Sequence, residues 1–306
     1  MGKFDKYADC GRVLACPVCG GSLQLQERSL VCDARHSFDL AKQGYVNLYR
    51  GKPINEYTKE SFQERQTILE KGMYAHLLEE ICDFLTKTYG QDAAEVSGAD
   101  SKPAKKVLLD AGCGEGYYTR EIALRLGASG SEDGDGMQLE LYGTDLSRDS
   151  IQLAAGTANG MGSGPADIKW FVSDIGRLPA ADKSVDYVLD IFTSANYQEF
   201  QRVLADGGYL IKVIPGEGHV KELREAASDQ LYHKEYKERR GAAVFGEHFD
   251  VVLQKPVSRT FEVTPEERVI FIRMTPLLFA VDKSKIDWTQ VKTITVEGQL
   301  LIGRKK

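Results

Sequence analysis

Short apolar runs alternate with amphipathic stretches from Val107 to the end of the chain. The apolar runs have the length of strands, and hydrophobic residues recur at helical spacing in the stretches between them. Two runs near the carboxyl end flank a helix that is predicted to begin near Pro265. Repeated strand–helix units predict an α/β fold, in which helices cover both faces of a parallel sheet. The predicted strands are KVLLDA, LELYGTD, IKWFVSD, VDYVLDIF, YLIKVIP, FDVVLQKPVSRTFEV and TITVEGQLLIGR.

The chain before this region has a different pattern. Hydrophobic residues between Phe62 and Leu85 recur at roughly helical spacing, and Gly72 is predicted to divide this stretch into two helices. Residues 91–106 are polar and small and include a proline, which is typical of a mobile linker. Pro53 marks a further boundary. The predicted parts are a small module over residues 1–52, a helical connector and linker over 53–100, and the α/β domain over 101–306.

Composition and charge narrow the function classes only in part. The 306 residues are 42% hydrophobic and 27% charged, which is typical of a globular protein with one large and one small domain. The formal net charge is −6, but residues 1–55 carry +3, so the rest carries −9. A mildly basic first part favours a surface that faces phosphates, although an ordinary solvated face would give the same balance. The candidate phosphate contacts are Lys42, Arg50 and Lys52.

A cluster of soft metal ligands lies in the first part of the chain. Its spacing is C-x2-C, twelve residues, then C-x3-H, which suits a structural Cys3His zinc site. The sequence shows neither a signal peptide nor an apolar run of transmembrane length, so we expect a cytoplasmic protein with no membrane partner and no disulfide framework. Ordinary buried cysteines are the alternative. The predicted ligands are Cys16, Cys19, Cys32 and His36, with a short hairpin between residues 22 and 32.

A glycine-rich turn, DAGCGEGYYT, follows the first strand of the α/β region. Gly112, Gly114 and Gly116 let the chain turn sharply into a helix and let a ligand approach the backbone closely. Dinucleotide enzymes use a similar turn with the spacing G-x-G-x-x-G, whereas the spacing here is G-x-G-x-G. The turn therefore predicts a cofactor site but departs from the NAD pattern.

Acidic residues stand at the ends of three successive predicted strands. Asp110 precedes the glycine turn, where it can contact an ammonium group and would repel a pyrophosphate. Asp145 is placed to accept hydrogen bonds from ribose hydroxyls, and Asp174 to accept one from an adenine amino group. Each aspartate alone could be a strand-end cap or a turn residue. The combination predicts S-adenosylmethionine as the cofactor rather than NAD.

Several motifs together resemble one enzyme family. CPVCGGSL, CDARHSFDLAKQGYVNL, FQERQTILEKGMY, GCGEGYYT, IPGEGHVKEL and RMTP are similar to segments of the ribosomal RNA large-subunit guanine-N1 methyltransferases of the RlmA type, in the same order. The resemblance implies a Rossmann-like class I S-adenosylmethionine-dependent methyltransferase domain with a small N-terminal zinc-binding module that recognises ribosomal RNA. It also allows a homodimer. By matching motif, the implied cofactor contacts are Tyr74, Tyr118, Thr119 and His219.

The segment after the fourth strand departs from the family pattern. It reads DIFTSANYQEF, whereas family members often have a proline there. Without a cysteine or a proline in this segment, methylation of a ring nitrogen fits better than methylation of pyrimidine carbon-5 or of an amino group. Asp190 is the candidate base for the guanine N1 proton, or else a buried structural acid, and Asn196 or Tyr197 could read or stack on a flipped base. Two glycine-rich inserts, residues 127–138 and 156–167, predict surface loops.

Two other functions stay open from the sequence. A small-molecule methyltransferase would share the α/β region, although such enzymes seldom carry a zinc module. A non-catalytic RNA-binding factor would retain the fold and the cofactor turn without turnover. In the favoured interpretation zinc lies far from the chemistry, so removing it should weaken RNA binding and leave S-adenosylmethionine binding nearly intact.

Overall fold

The computed structural model describes residues 3–52, 58–95, 105–127, 137–162, 164–231 and 238–306. The predicted boundary at Pro53, most of the predicted linker and most of the first glycine-rich insert lie outside these ranges. No helix within the described ranges is long and apolar enough to cross a membrane.

All seven predicted strands form, and α-helices follow the predicted order between them. The strands are β1 (Gln24–Gln26), β2 (Ser29–Val31), β3 (Ser37–Asp39), β4 (Tyr45–Asn47), β5 (Lys106–Ala111), β6 (Leu139–Asp145), β7 (Lys169–Val172), β8 (Val185–Ile191), β9 (Leu204–Pro215), β10 (Phe249–Glu262) and β11 (Thr293–Lys305). The α-helices are α1 (Lys59–Glu70), α2 (Ala75–Glu95), α3 (Tyr117–Gly127), α4 (Arg148–Gly160), α5 (Tyr197–Val203), α6 (Lys221–Ala226), α7 (Glu238–His248) and α8 (Pro265–Met274).

Eight strands form one sheet in the order β10-β11-β9-β8-β5-β6-β7-β4. Strands β5 to β9 are parallel to their neighbours, with Leu109 of β5 opposite Tyr142 of β6 and Val188 of β8. Strand β11 runs antiparallel to both β9 and β10. The α/β prediction is therefore confirmed, and the parallel sheet continues as an antiparallel pair at one end.

The two faces of this sheet bury different parts of the chain. Side chains alternate between the faces of a strand. Accordingly, Leu108 of β5 packs in an apolar cluster with residues of α2 and α3, whereas Val107 and Leu109 pack in a second cluster. The second cluster contains Leu14 and Leu30, so the N-terminal segment covers that face of the sheet.

The N-terminal segment is built into the large domain. Strands β1, β2 and β3 form a small antiparallel sheet, and β1 with β2 confirms the predicted hairpin. Strand β4 follows that sheet in the chain but belongs to the large sheet. It pairs in parallel with β7, and Tyr45 lies opposite Trp170. The buried hydroxyl of Tyr7 donates a hydrogen bond to the carbonyl of Trp170 at 2.8 Å. The segment thus supplies the edge strand of the large sheet, while the boundary at residue 52 stays a prediction.

Local sequence explains the helix ends that matter for the site. Thr58 caps α1 by accepting a hydrogen bond from the Ser61 N–H group, and Gly72, at φ +77°, lies in the break between α1 and α2, as predicted. Helix α8 begins at Pro265, where Thr264 and Glu267 form a capping box. The segment that follows α8 reaches the cleft described below.

The second glycine-rich insert is only partly a loop. Helix α4 continues through Gly156 to Gly160, because Ala154, Ala155 and Ala158 give it a fully buried apolar face. The prediction of a loop over residues 156–167 is therefore wrong for its first five residues.

Candidate functional site

The glycine turn between β5 and α3 lies at the carboxyl ends of the parallel strands. Gly112, Gly114 and Gly116 have φ angles of +78°, +56° and +80°. A Cβ atom at Gly112 would lie 2.8 Å from the Thr193 side chain, and one at Gly116 would lie 2.5 Å from the Trp170 ring. Backbone conformation and close packing both require glycine here. The fold itself therefore explains these glycines, and the evidence for a ligand comes from the space above them.

Two adjoining cavities open at this end of the sheet, with volumes of about 350 and about 590 Å³. A crevice at the carboxyl ends of the strands is the usual ligand site of open α/β sheets. Both cavities are lined by Arg65, Gly112, Ile191, Phe192 and Pro215. The first, smaller cavity is also lined by five of the predicted cofactor contacts: Tyr74, Asp110, Gly114, Tyr118 and His219. The second cavity is also lined by two of them, Asp145 and Asp174.

Asp110 is a buried carboxyl in the wall of the first cavity, with 2% of its surface exposed. Its Oδ2 accepts a hydrogen bond from the hydroxyl of Thr119 at 2.6 Å. Burial, together with the charges of nearby carboxylates, raises the pKa of Asp110 to about 7. Thr119 is fully buried, so it orients Asp110 from behind. A cationic ligand group beside Asp110 would favour its charged form.

The second cavity carries the other two predicted aspartates. The Asp145 carboxylate accepts hydrogen bonds from the N–H groups of Gly114 at 3.0 Å and Ser147 at 2.8 Å. These bonds fix the carboxylate against the glycine turn, although burial still raises its pKa. Asp174 is exposed just beyond β7 and accepts a hydrogen bond from the Gly176 N–H group at 2.7 Å. Both side chains therefore face one cavity from neighbouring strand ends.

Aromatic rings form one wall of the first cavity. The ring of Phe192 stacks on His219, with 5.3 Å between centroids, and meets Tyr74 edge-on at 5.8 Å. Phe192 has φ +53°, a costly conformation for a large side chain that usually marks a functional constraint. The Nδ1 atom of His219 accepts a hydrogen bond from the Glu297 N–H group, and burial lowers the pKa of His219 to about 4. The wall is therefore uncharged at neutral pH.

Asp190, the candidate base, is held in a buried ion pair. Its Oδ2 lies 2.6 Å from the Nζ atom of Lys212, the residue opposite it on β9, and Asp190 is fully buried. Lys212 also donates a hydrogen bond to the carbonyl of Thr193 at 3.2 Å. This geometry supports the alternative in which Asp190 is a buried structural acid. The ion pair anchors the segment after β8, where Thr193 lines the second cavity.

The two candidate substrate-reading residues also have structural contacts. Asn196 is the N-cap of α5, where its side chain accepts a hydrogen bond from the Glu199 N–H group. The Tyr197 ring stacks on His248 at 4.9 Å and packs against Phe245. Among the residues that the structure describes, neither Asn196 nor Tyr197 lines one of the two cavities.

Several residues of the cleft were not singled out from the sequence, and three of them bear on its chemistry. Arg65 and Phe192 line both cavities, and Glu115 lines the first. Arg65 lies on α1, more than forty residues before the glycine turn, so only the fold brings it there. Glu115 lies between Gly114 and Gly116 in the sequence. This position beside the glycine turn was the sequence signal that could have identified it as a residue of the cleft.

The four predicted zinc ligands converge on one point. The Sγ atoms of Cys16 and Cys32 lie 3.6 and 3.4 Å from Nδ1 of His36, and Cys19 Sγ lies 3.6 Å from Cys32 Sγ. All four ligand atoms lie within 4.8 Å of one another. Bond lengths of zinc to sulfur and nitrogen imply tetrahedral edges of roughly 3.6–3.8 Å. The donor set and its spacing therefore fit a structural zinc ion with no open coordination position.

The segment that holds the zinc ligands (residues 13–36, the zinc segment) contacts the connection between β7 and β8. This connection forms part of the wall of the second cavity. The Ala15 N–H group donates to the Pro179 carbonyl at 2.9 Å, and the Ala181 N–H group donates to the Val13 carbonyl at 2.8 Å. This connection begins with Asp174 and Ile175, which line the second cavity. One short connection therefore joins the zinc ligands to the second cavity, and the expectation that zinc removal leaves cofactor binding nearly intact stays a prediction.

Comparisons with known proteins agree on both parts of the chain. The family described as "RlmA, N-terminal" matches residues 14–54, and the family described as "Methyltransferase domain" matches residues 102–263. A Bacillus subtilis (strain 168) protein, provisionally named a 23S rRNA (guanine-N(1)-)-methyltransferase, is 31% identical over 95% of this chain and 96% of its own. The 23S rRNA (guanine(748)-N(1))-methyltransferase of Streptomyces fradiae is 28% identical over 90% of this chain and 89% of its own.

Among solved structures, a provisionally named methyltransferase of Bacillus halodurans is similar, with 17% identity and a TM-score of 0.43. The match covers 70% of this chain and 99% of that chain.

Proposed function

This chain belongs to the family of 23S rRNA (guanine-N1)-methyltransferases of the RlmA type, and we propose that it transfers a methyl group from S-adenosylmethionine to N1 of a guanine in large-subunit ribosomal RNA. The observation that carries the proposal is the occurrence, in one chain, of a Cys3His centre and an acid-lined cleft at the carboxyl ends of parallel strands. In a small-molecule methyltransferase the N-terminal segment would have only a structural role.

The polarity of the cleft supports one orientation for the cofactor. The carboxylates of Asp145 and Asp174 in the second cavity suit the ribose hydroxyls and the adenine amino group. Asp110 in the first cavity suits the ammonium group of the methionine part. In this orientation Phe192 and Pro215, which line both cavities, would hold the part of the cofactor that joins its adenosine to its amino-acid end.

When bound, S-adenosylmethionine supplies a methyl group that is already activated, so the protein's task is mainly positioning and exclusion of water. The target N1 lies on the Watson–Crick edge, and a paired guanine must leave its duplex to present that edge. Asp190 stays the sequence candidate for accepting the N1 proton. Its ion pair with Lys212 supports a positioning role instead, in which the pair holds the Thr193 carbonyl.

Recognition of the RNA falls to the N-terminal segment in this proposal. Zinc would be held by Cys16, Cys19, Cys32 and His36 and would order that segment. Lys42, Arg50 and Lys52 would contact phosphates of ribosomal RNA, and we propose that the enzyme acts in the cytoplasm. A homodimer stays a prediction.

A direct test is methylation of a large-subunit ribosomal RNA transcript by the purified protein. Methylation at N1 blocks base pairing, so reverse transcription should stop beside a single guanine after incubation with S-adenosylmethionine. The stop should be absent when the cofactor is omitted. Methyl incorporation without such a stop would assign the reaction to another atom and overturn the proposal.

A further inference from the structure

Two residues that line the first cavity each carry a buried polar atom without a partner in the described part of the chain. Among the described residues, Oε1 of Glu115 and the hydroxyl of Tyr118 make no hydrogen bond, although Glu115 is 2% and Tyr118 8% exposed. Both side chains line the first cavity. Burying a polar group without a partner is costly, so a ligand that supplies the missing partners is the simplest explanation.

A cation shares this cavity with them. Arg65 of α1 also lines it, and a Cβ atom at Gly114 would lie 3.9 Å from Arg65 Nη1, so the guanidinium lies above the glycine turn. Burial raises the pKa of Glu115, and the charge of Arg65 opposes this shift. A positive group and a negative group therefore face the same space, together with a free hydroxyl donor.

This pairing of charges matches a zwitterion. The amino-acid end of S-adenosylmethionine carries an ammonium group, which needs acceptors, and a carboxylate, which needs donors. We propose that Arg65 and the Tyr118 hydroxyl bind the carboxylate of this end and that Glu115 binds its ammonium group together with Asp110. The inference rests on the proposed function, because it assumes the same cofactor in the same cleft.

Reading of the target guanine by Glu115 is the competing explanation. A carboxylate can accept hydrogen bonds from guanine N1 and N2. A neutral base, however, offers no carboxylate to the guanidinium of Arg65, which lines the same cavity. Asp110, Gly112 and Gly114 line the same space, so Glu115 faces the cavity from the cofactor turn itself.

The proposed contacts of Arg65, Tyr118, Glu115 and Asp110 with the amino-acid end are called the clamp below. Ligands that lack one part of the amino-acid end test it. The wild-type protein should bind S-adenosylmethionine about 10- to 100-fold more tightly than its decarboxylated analogue, as expected for charge-assisted hydrogen bonds. In Arg65→Met this ratio should fall at least several-fold, because only the Tyr118 hydroxyl remains to bind the carboxylate. The affinity for 5′-methylthioadenosine, which lacks the whole amino-acid end, should not change. Glu115→Gln should weaken S-adenosylmethionine and the decarboxylated analogue equally, because both keep the ammonium group. Isothermal titration calorimetry measures each affinity.

Matched controls are Arg125→Met and Glu121→Gln, since these two residues of α3 pair with each other at 3.5 Å and do not line the first cavity. Both control variants should keep the wild-type ratio of affinities for S-adenosylmethionine and its decarboxylated analogue. A wild-type ratio below about twofold overturns the clamp even if a variant does not fold. Normal cofactor affinity with lost methyl transfer in Glu115→Gln would assign Glu115 to the guanine. A working clamp in a protein that leaves ribosomal RNA unmodified would refute the proposed substrate and not the clamp.

Discussion

Asp110 shows at the scale of one residue how a buried carboxyl lowers stability. Its pKa is raised to about 7 by burial, whereas an unfolded aspartate titrates near 3.8. A raised carboxyl pKa contributes stability below the unfolded value, and this contribution is lost as pH rises through the folded value. Without cofactor, Asp110 should therefore destabilise the protein progressively between about pH 4 and pH 7.

The variant Asp110→Asn tests this directly. The amide can still accept the Thr119 hydrogen bond, so the variant should unfold at a higher urea concentration than the wild type at pH 8. The advantage, up to about 1.4 kcal/mol for each unit of pKa shift, should shrink at pH 5. The same variant should bind S-adenosylmethionine more weakly, since it offers the ammonium group no charge. A stability difference that does not depend on pH would contradict this account.

The sequence predicts residues that line the two cavities where they stand at strand ends beside the glycine turn. Asp110, Asp145 and Asp174 lie at strand ends, so predicting the strands was enough to bring them to one edge of the sheet. The pairing of Asp190 with Lys212 depends on the register between β8 and β9, which no local pattern reveals. Arg65 was missed for a similar reason, because α1 packs over the turn from a distant part of the chain.

At the scale of elements, the Asp190–Lys212 pair fixes β8 and β9 beneath the cleft. Removing only Lys212, as in Lys212→Met, would leave a buried carboxylate unpaired and should cost about 3–5 kcal/mol. The double variant Asp190→Leu with Lys212→Met should recover most of this loss, since an apolar pair of similar volume replaces the ions. Urea denaturation of the three proteins measures the coupling.

Methyl-transfer activity distinguishes the two candidate roles of Asp190, which are positioning residue and general base. If Asp190 is a positioning residue, the double variant should retain measurable methyl transfer with a raised KM for S-adenosylmethionine, because Thr193 loses its anchor. Complete loss of kcat with unchanged cofactor affinity would instead restore Asp190 as the base.

The strands and long helices could be predicted because each has a clear local pattern. Strand β4 could not, since three residues within GYVNL carry too little periodicity to indicate a partner. Its pairing with β7 is a contact between residues more than one hundred positions apart. Helix α7 was missed as well; it contains Gly241 and Gly246, and glycine is a poor helix former.

At the scale of the whole molecule, the zinc segment is fastened to the cofactor domain by β4 and by the connection through Pro179 and Ala181. Removal of zinc should therefore loosen the wall of the second cavity as well as the segment itself. We expect a chelator to weaken S-adenosylmethionine binding by about tenfold or more, the equivalent of losing one or two hydrogen bonds. Calorimetry before and after zinc is restored measures the change.

Single cysteines provide the control for this experiment. Cys19→Ser removes an exposed ligand and should reproduce the effect of the chelator, whereas Cys82→Ser, a buried cysteine of α2 outside the cluster, should bind the cofactor normally. Unchanged cofactor affinity after complete zinc removal would contradict the coupling and restore the simpler division, in which zinc serves RNA recognition alone.

The central claim is methylation of one ribosomal guanine at N1. The most direct measurement is mass mapping of large-subunit ribosomal RNA from cells that have or lack this chain. The account predicts that one guanine loses one methyl group in the deficient cells and regains it with the wild-type protein but not with Asp110→Asn. An identical methylation pattern in both cells, with S-adenosylmethionine still bound by the purified protein, would contradict it.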